Sequence, residues 1–250
     1  MKSLIRWGTT LGIVSGAVLG SLLTGFLPAW ALSDEEIVEK LSSVPVFTIT
    51  DENGAPLVAS SPEGEDKSSV TGVFISREDA ENFLSRIGGQ DPELVNNVQI
   101  IPVSLGEVYK LAQANSARED GLEFAYVPMQ TQVESALSIL QQEGEEVSRF
   151  NGVPLFLARA GEEGGYLTIQ QGENQVIPLF FKQEELQSLL DRFKESQPEV
   201  ANVTIQVVNL EGVIDTLQQS TNPQLDQVLL IPPSESLEYV RSLRDGEGEN

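Results

Sequence analysis

The chain carries one pattern twice, and this repeat constrains its fold more than any other feature of the sequence. Residues 44–47 (VPVF) return as 153–156 (VPLF), and residues 126–128 (YVP) return as 230–232 (LIP). Three further segments repeat in the same order between these blocks: residues 73–87 with 179–193, 92–98 with 198–203, and 105–111 with 210–217. Since five matches in one order would not arise by chance, we predict two halves that share one arrangement of strands and helices.

Each half passes between the periods of strands and helices in the same order. In the first half Asn53-Gly54 marks a hairpin turn, and Ser76 is placed to cap a helix. Apolar residues then recur at helical spacing, at Ala80, Phe83, Leu84 and Ile87. We therefore predict an α+β fold of tandem duplicated β-β-β-α-β-α-β-α halves, each with helices packed on its own mixed sheet.

The repeat also divides the chain into segments. We predict a signal peptide over 1–31, an N-terminal helix over 32–43, a first half over 44–150, a second half over 151–243 and a disordered acidic tail over 244–250. Ser33 and Glu36 have the spacing of a capping box at the start of the N-terminal helix. The tail is acidic and rich in glycine, a composition typical of disordered chain ends.

The first residues have the three parts of an export signal. Lys2 and Arg6 precede an uncharged apolar run, and Ala29-x-Ala31 supplies the small residues that signal peptidase requires. We therefore expect cleavage after Ala31. The alternative is an uncleaved membrane anchor, because the apolar run approaches the ~20 residues of a membrane span. Pro28 and the Ala-x-Ala pattern favour cleavage.

The charge of the chain limits what it can bind. The net charge is −23, and without residues 1–31 there are 13 Lys and Arg against 38 Asp and Glu, a net charge of −25. Such a chain is repelled by nucleic acid and by anionic lipid surfaces, so we expect it to bind neither. There is no cysteine, so the stability of an exported domain must come from its apolar core.

Most catalytic chemistry is excluded by the composition. The sequence has no His and no Cys, which removes imidazole and thiolate catalysis, and it has no glycine-rich phosphate-binding motif. We therefore predict no catalytic residue, no metal and no cofactor. Paired carboxylates alone can hydrolyse glycosidic bonds, so the alternative function is a carboxylate-dependent hydrolase. The acidic segment 51–54 (DENG) has its Gly too early for a calcium loop and is interpreted as a turn.

Two adjacent phenylalanines raise the question of an apolar binding surface. Phe180 and Phe181 fall in one predicted strand, so they point to opposite faces of the sheet. If one face is thinly covered, each half has an apolar groove for an extended peptide. The candidate residues for client binding are Phe74, Leu84, Ile101, Phe180, Leu190 and Val207. The alternative, full burial of these side chains, stays open at this point.

Residues 44–47, 73–75, 98–103 and 153–156, with their duplicated setting, resemble the family of the twenty-two-kilodalton Tic component. Tic is the translocon of the inner chloroplast envelope, and the bacterial type of signal points to the cyanobacterial, periplasmic branch. The resemblance implies two halves around a pseudo-two-fold axis, with apolar pockets. It also implies a chaperone-like role in protein transport and outer-membrane biogenesis, in which unfolded or translocating polypeptides are bound. A further implied partner is the POTRA domains of a BamA-like assembly protein.

Overall fold

The computed structural model describes residues 12–13, 32–60, 69–89, 91–116, 118, 121–160, 164–196 and 203–247. The predicted signal peptide and its cleavage site at Ala31 lie outside this range, except for Gly12–Ile13, a two-residue strand named β1. Most described residues belong to two β-sheets and the helices that cover them. The fold is of the mixed α+β type that the sequence predicts.

Sheet 1 is formed by the first half of the chain. Its strands are β2 (Pro45–Asp51), β3 (Val58–Ser60), β4 (Ser69–Phe74), β5 (Val98–Ser104) and β6 (Leu122–Val127). Their order is β3-β4-β2-β5, with β6 parallel to β4 and the other pairs antiparallel. The turn after β2 is held by the Asp51 carboxylate, which accepts the backbone N–H groups of Asn53 and Ala55 at 2.8 Å each.

Sheet 2 is formed by the second half. Its strands are β7 (Pro154–Ala160), β8 (Leu167–Gln171), β9 (Asn174–Phe180), β10 (Val203–Asn209) and β11 (Val228–Ile231). The order is β8-β9-β7-β10, with β11 parallel to β9 and β1 beside β8. Phe47 pairs with Phe74 in sheet 1 as Phe156 pairs with Phe180 in sheet 2. The two sheets thus have one strand order; superposition of the halves stays a prediction.

Two helices begin at the capping residues that the sequence predicts, Ser33 and Ser76. The helices are α1 (Asp34–Ser42), α2 (Arg77–Gly88), α3 (Pro92–Val95), α4 (Leu105–Ser116), α5 (Gln130–Gln142), α6 (Gln183–Ser196), α7 (Leu210–Gln219) and α8 (Ser234–Glu247), with a 3-10 turn at Pro223–Gln227. Ser33 and Glu36 form the capping box of α1, and the Asn209 side chain caps α7. The predicted disorder of 244–250 is wrong for 244–247, which continue α8; residues 248–250 lie outside the described range.

A central core joins the two sheets. One face of each sheet packs with α1, α4 and α7, and its fully buried side chains include Val46, Ile75, Leu155 and Phe181. Tyr109 links the three helices, because its hydroxyl donates to the Asp34 carboxylate at 2.9 Å and accepts from the Gln218 amide at 2.8 Å. Such a shared apolar core makes the halves one folding unit.

The outer face of each sheet is covered partly by a helix from the other half. Helix α5 follows β6 of sheet 1 but packs on sheet 2, where Ala136 is buried with Phe156. Helix α8 follows β11 of sheet 2 but packs on sheet 1, where Tyr239 lies against Phe47. The prediction that each half carries all its own helices is therefore wrong for these two. The apolar period of a helix specifies a buried face and does not specify which sheet buries it.

Candidate functional site

The structure distributes the predicted client-binding residues among buried and half-buried positions. Phe74, Phe180 and Leu190 are 2%, 7% and 2% exposed. Phe180 and Leu190 belong to the core between sheet 2 and its outer helices, and half-buried Val207 packs against the same core. Phe74 lies under α2 with half-buried Leu84, and Ile101 is half-buried in β5. The six residues therefore do not form one groove in each half.

The strand that carries Phe180 and Phe181 is covered on both faces. Phe181 is fully buried in the central core, and Phe180 is buried under α5 and α6. The two rings do point to opposite faces, as the alternation of a strand requires. The expectation of a thinly covered face is wrong for this strand, because α5 from the first half supplies the missing cover.

An open apolar pocket lies at the corresponding place in sheet 1. It has a volume of about 170 Å³ and is lined by Ile49, Leu57, Val58, Ala59, Val70, Gly72, Phe74, Phe83, Ile87 and Leu94. We call it the apolar pocket. Phe74 and Phe83 form its aromatic wall, with ring centroids 5.3 Å apart. Val58 is at its rim and is 43% exposed. Of the six candidates, Phe74 lines this pocket.

Local sequence explains why a pocket remains there. Gly72 precedes Phe74 by two positions on the same face of β4, and a Cβ at Gly72 would lie 3.0 Å from the Phe74 ring. Glycine therefore gives the ring the room to lie along the strand. Leu94 comes from α3, a four-residue helix that the apolar period of the sequence does not reveal. Phe83 and Ile87 belong to the apolar stripe from which the sequence predicts α2.

At the equivalent strands of sheet 2, the described side chains that match two lining residues of the apolar pocket are buried. Ile169 in β8 occupies the position of Ala59 and is 8% exposed, and Leu167 occupies the position of Leu57, another lining residue of the pocket, and is 2% exposed. Leu167 packs with Phe180 and Phe193 in the core under α6. The two halves thus differ in the packing of an otherwise shared strand order.

A larger, polar pocket lies at the other end of the molecule. Its volume is about 670 Å³, and it lies between α1, the β8–β9 turn and the 3-10 turn before β11. Lys40 crosses this region and donates to the backbone oxygen of Asp226 at 2.8 Å. Burial lowers the pKa of Lys40, and nearby carboxylates oppose this shift. The lysine thus fastens α1 to the second half and serves the fold.

The carboxylates with shifted pKa values are caps rather than catalytic acids. Hydrogen bonds from Ser33 lower the pKa of Glu36, and the backbone N–H of Ala55 lowers that of Asp51. A general acid in glycoside hydrolysis needs the opposite shift. Within the described ranges, no group of three or more His, Cys, Asp or Glu side chains is placed to hold a metal ion. Glu36 and Asp51 therefore do not provide the general acid that the alternative function, a carboxylate-dependent hydrolase, requires.

The comparison with protein families identifies the relatives of this fold. The model of the Tic22-like family matches residues 10–242, which is nearly the whole chain. The chain belongs to the Tic22-like family. The family resemblance drawn from the repeated strand blocks is thereby confirmed.

Solved Tic22 structures have the same fold. The Tic22 of Anabaena, a protein of protein transport, superposes with a TM-score of 0.75 at 34% identity and covers 84% of this chain and 97% of its own. The Tic22 of Plasmodium falciparum gives a TM-score of 0.67 at 24% identity, with 84% and 98% covered. At 24% identity, the similarity to the Plasmodium falciparum structure shows a shared fold and does not indicate a function.

A plant relative shows how far the similarity extends in sequence. The chloroplastic TIC 22-like protein of Arabidopsis thaliana is 28% identical over 208 residues, which are 81% of this chain and 62% of the relative. The match thus spans less than two thirds of that relative's length. In the part of this Tic22-like chain that the structure describes, no helix is long and apolar enough to cross a membrane.

Proposed function

We propose that this chain is a binding protein of protein transport, without enzymatic activity, that holds apolar segments of unfolded or translocating polypeptides. The family membership and the 34% identity to Anabaena Tic22, a protein of protein transport, support the role. The observation that carries the proposal is the apolar pocket of sheet 1, whose lining side chains are all apolar. An apolar pocket with an exposed rim suits side chains of an extended client.

The size of the apolar pocket fits weak and reversible binding. A volume of about 170 Å³ holds one or two client side chains. Burying one large apolar side chain contributes ~1.5–3 kcal/mol. Ordering a disordered client costs free energy at the same time, so the net affinity stays low. Low affinity allows the client to be handed to the next component.

The site of action that we propose is the periplasm, after cleavage of the signal peptide following Ala31. The docking partner would be the POTRA domains of a BamA-like assembly protein, as the family resemblance implies. The net charge of −23, or −25 after cleavage, supports this role, because it keeps a loaded complex soluble and away from anionic lipid. A basic docking face on the partner would then give association that slows as salt rises.

We also propose that the two halves arose by tandem duplication and are related by a pseudo-two-fold axis. The shared strand order and the matched phenylalanine pairs support this. The exchange of α5 and α8 between the sheets has the reciprocity that such an axis would produce. Superposing 44–140 on 153–243 should then align Pro45 with Pro154 and Phe74 with Phe180.

The test compares two exposed apolar side chains. Val58→Asp places a carboxylate at the rim of the apolar pocket, whereas Leu111→Asp makes a similar change on α4, outside it; Leu111 is 52% exposed. Light scattering of an unfolded outer-membrane barrel protein, diluted from urea, measures client aggregation. We expect the wild-type chain and Leu111→Asp to suppress aggregation and Val58→Asp to lose suppression. Equal suppression by both variants, with native circular dichroism, would exclude the apolar pocket.

A further inference from the structure

A second groove, on the outer side of the first half, combines an apolar floor with two arginines. Its volume is about 450 Å³. It lies where the end of α1, the start of β2, the end of β5 and one face of α8 meet, and its lining is Ser42, Ser43, Pro45, Pro102, Val103, Ser104, Leu237, Val240, Arg241 and Arg244. We call it the arginine groove. It shares no lining residue with the apolar pocket.

The sequence of α8 places these side chains in one row. Leu237, Val240, Arg241 and Arg244 are spaced i, i+3, i+4 and i+7, so they lie on one face of the helix. Tyr239 lies on a different face of α8 and packs against Phe47 of sheet 1. Helix α8 therefore uses one face to close the sheet and presents another to the arginine groove.

Among the described residues, the side chains of Arg241 and Arg244 form no ion pair and no hydrogen bond. This is notable because acids outnumber bases by 38 to 15 in the full sequence. Both side chains are exposed at the groove. Two like charges on adjacent turns of a helix destabilise it, and an anion bound between them relieves the repulsion. Guanidinium groups bind carboxylates with two parallel hydrogen bonds, so a carboxylate is the anion that suits them.

The adjacent edge of sheet 1 offers backbone groups to the same ligand. Strand β5 pairs with β2, and no strand among the described residues pairs with its other edge. Leu105 donates its N–H to Val44 at 2.8 Å, so the alternation of the ladder directs the N–H of Ser104 to the open edge. The backbone nitrogen of Pro102, two residues before Ser104, faces the same open edge. Because no strand accepts a hydrogen bond there, the lack of an N–H in proline removes no bond from the β2–β5 ladder.

We propose that the arginine groove binds the C-terminal end of a polypeptide. The last side chain, which is apolar, lies on the floor formed by Pro102, Val103 and Leu237, and the α-carboxylate binds Arg241 and Arg244. A chain end suits the groove because one residue carries both groups, so it meets the floor and the arginines together. Anionic lipid and nucleic acid are poorer occupants, since the net charge of −23 repels their extended negative surfaces.

The test uses peptides that differ at their ends. The probe is a hexapeptide with N-terminal fluorescein and Phe as its last residue, compared with its C-terminal amide and with a longer peptide in which Phe-Glu is internal. Fluorescence anisotropy measures binding to the chain starting at Leu32. We expect the free acid to bind at least tenfold more tightly than the amide and the internal peptide. The difference should shrink as salt rises.

Charge-matched variants assign the effect to the groove. The double variant Arg241→Gln/Arg244→Gln should bind acid and amide equally, whereas Arg149→Gln/Lys194→Gln, with the same charge change on exposed positions, should behave like wild type. Val58→Asp should also bind the free acid normally, which separates this site from the apolar pocket. Equal binding of acid and amide by the wild type, or unchanged binding by Arg241→Gln/Arg244→Gln, overturns the proposal.

The acidic end of the chain is the competing occupant. A variant ending at Glu247 removes residues 248–250, and with them the side-chain carboxylate of Glu249. If the free acid binds only to this shortened variant, the groove belongs to the chain's own tail and the proposal of a client end is wrong. Equal affinity of the full and shortened chains supports the client end.

Discussion

The ring of Tyr239 in α8 lies against the ring of Phe47 in β2, with centroids 5.9 Å apart and planes at 53°. The Arg77 guanidinium also lies over the Tyr239 ring, 4.4 Å from its centroid. A residue from the last helix of the second half thus fills the outer core of sheet 1. Because α5 does the reverse on sheet 2, each sheet loses part of its outer cover if the halves separate, and keeps only the helix of its own half, α2 or α6.

The exchange of helices predicts one cooperative unfolding transition. Tyr239→Ala removes the ring that contacts both Phe47 and Arg77, and we expect a loss of ~2–4 kcal/mol in the free energy of unfolding. The transition should stay single, because a loosened α8 exposes the core of sheet 1 and the central core with it. Urea denaturation, monitored by circular dichroism, measures both the free energy of unfolding and the number of transitions. Tyr166→Ala, on a 39% exposed ring, is the control and should change stability by less than ~1 kcal/mol. Two separated transitions would contradict the interlocked arrangement.

Gln132 fastens α5 to α6 through buried hydrogen bonds. Its amide nitrogen donates to the Glu184 carboxylate at 3.0 Å, and its carbonyl oxygen accepts the backbone N–H of Gln183 at 2.9 Å. The side chain is 2% exposed. Gln132→Ala removes both hydrogen bonds, but water can reach exposed Glu184 and half-buried Gln183, so we expect a loss of ~1–2 kcal/mol in the free energy of unfolding. Gln130→Ala, on the exposed start of the same helix, should cost less than ~0.5 kcal/mol in the same urea titration. Equal effects would exclude the anchoring role of Gln132.

Processing of the signal peptide can be tested on protein from the native host. We expect Leu32 as the mature N-terminus, determined by intact mass or N-terminal sequencing. The structure is compatible with this end, because Ser33 and Glu36 form the capping box of α1 without any earlier residue. A full-length chain recovered from the inner membrane would show instead an uncleaved anchor.

Local patterns in the sequence predict the elements well because their causes are local. The spacing from Ser33 to Glu36 and the capping residue Asn209 fix helix starts through hydrogen bonds within one turn. The turn at 51–54 follows from the Asp51 side chain and from Gly54, whose φ is +83°. The repeated strand blocks likewise predict that the two sheets share one strand order, although they do not predict which order it is.

The candidate site could not be predicted from the same patterns, because burial depends on which helix covers which sheet. Phe74 and Phe180 occupy equivalent strand positions. Phe74 borders an open pocket, whereas α5 and α6 with Leu167 bury Phe180. The arginine groove likewise requires α8 to lie against the first half, and neither the repeat nor the helical period of residues 237–244 contains that information.

Tyr126 should titrate at a higher pH than a tyrosine in an unfolded chain. Burial raises its pKa to about 12, and the negative charge of Glu211 adds to the effect. The neutral phenol is thus favoured in the folded state, relative to ~10 in the unfolded chain. Its contribution to stability is full below pH ~10 and is lost as pH rises through about 12. Absorbance at the phenolate band during an alkaline titration should show a late step that Tyr126→Phe removes. If Tyr126→Phe instead removes a titration step near pH ~10, the phenol of Tyr126 is accessible to water. Strand β6 then does not pack against the central core as described.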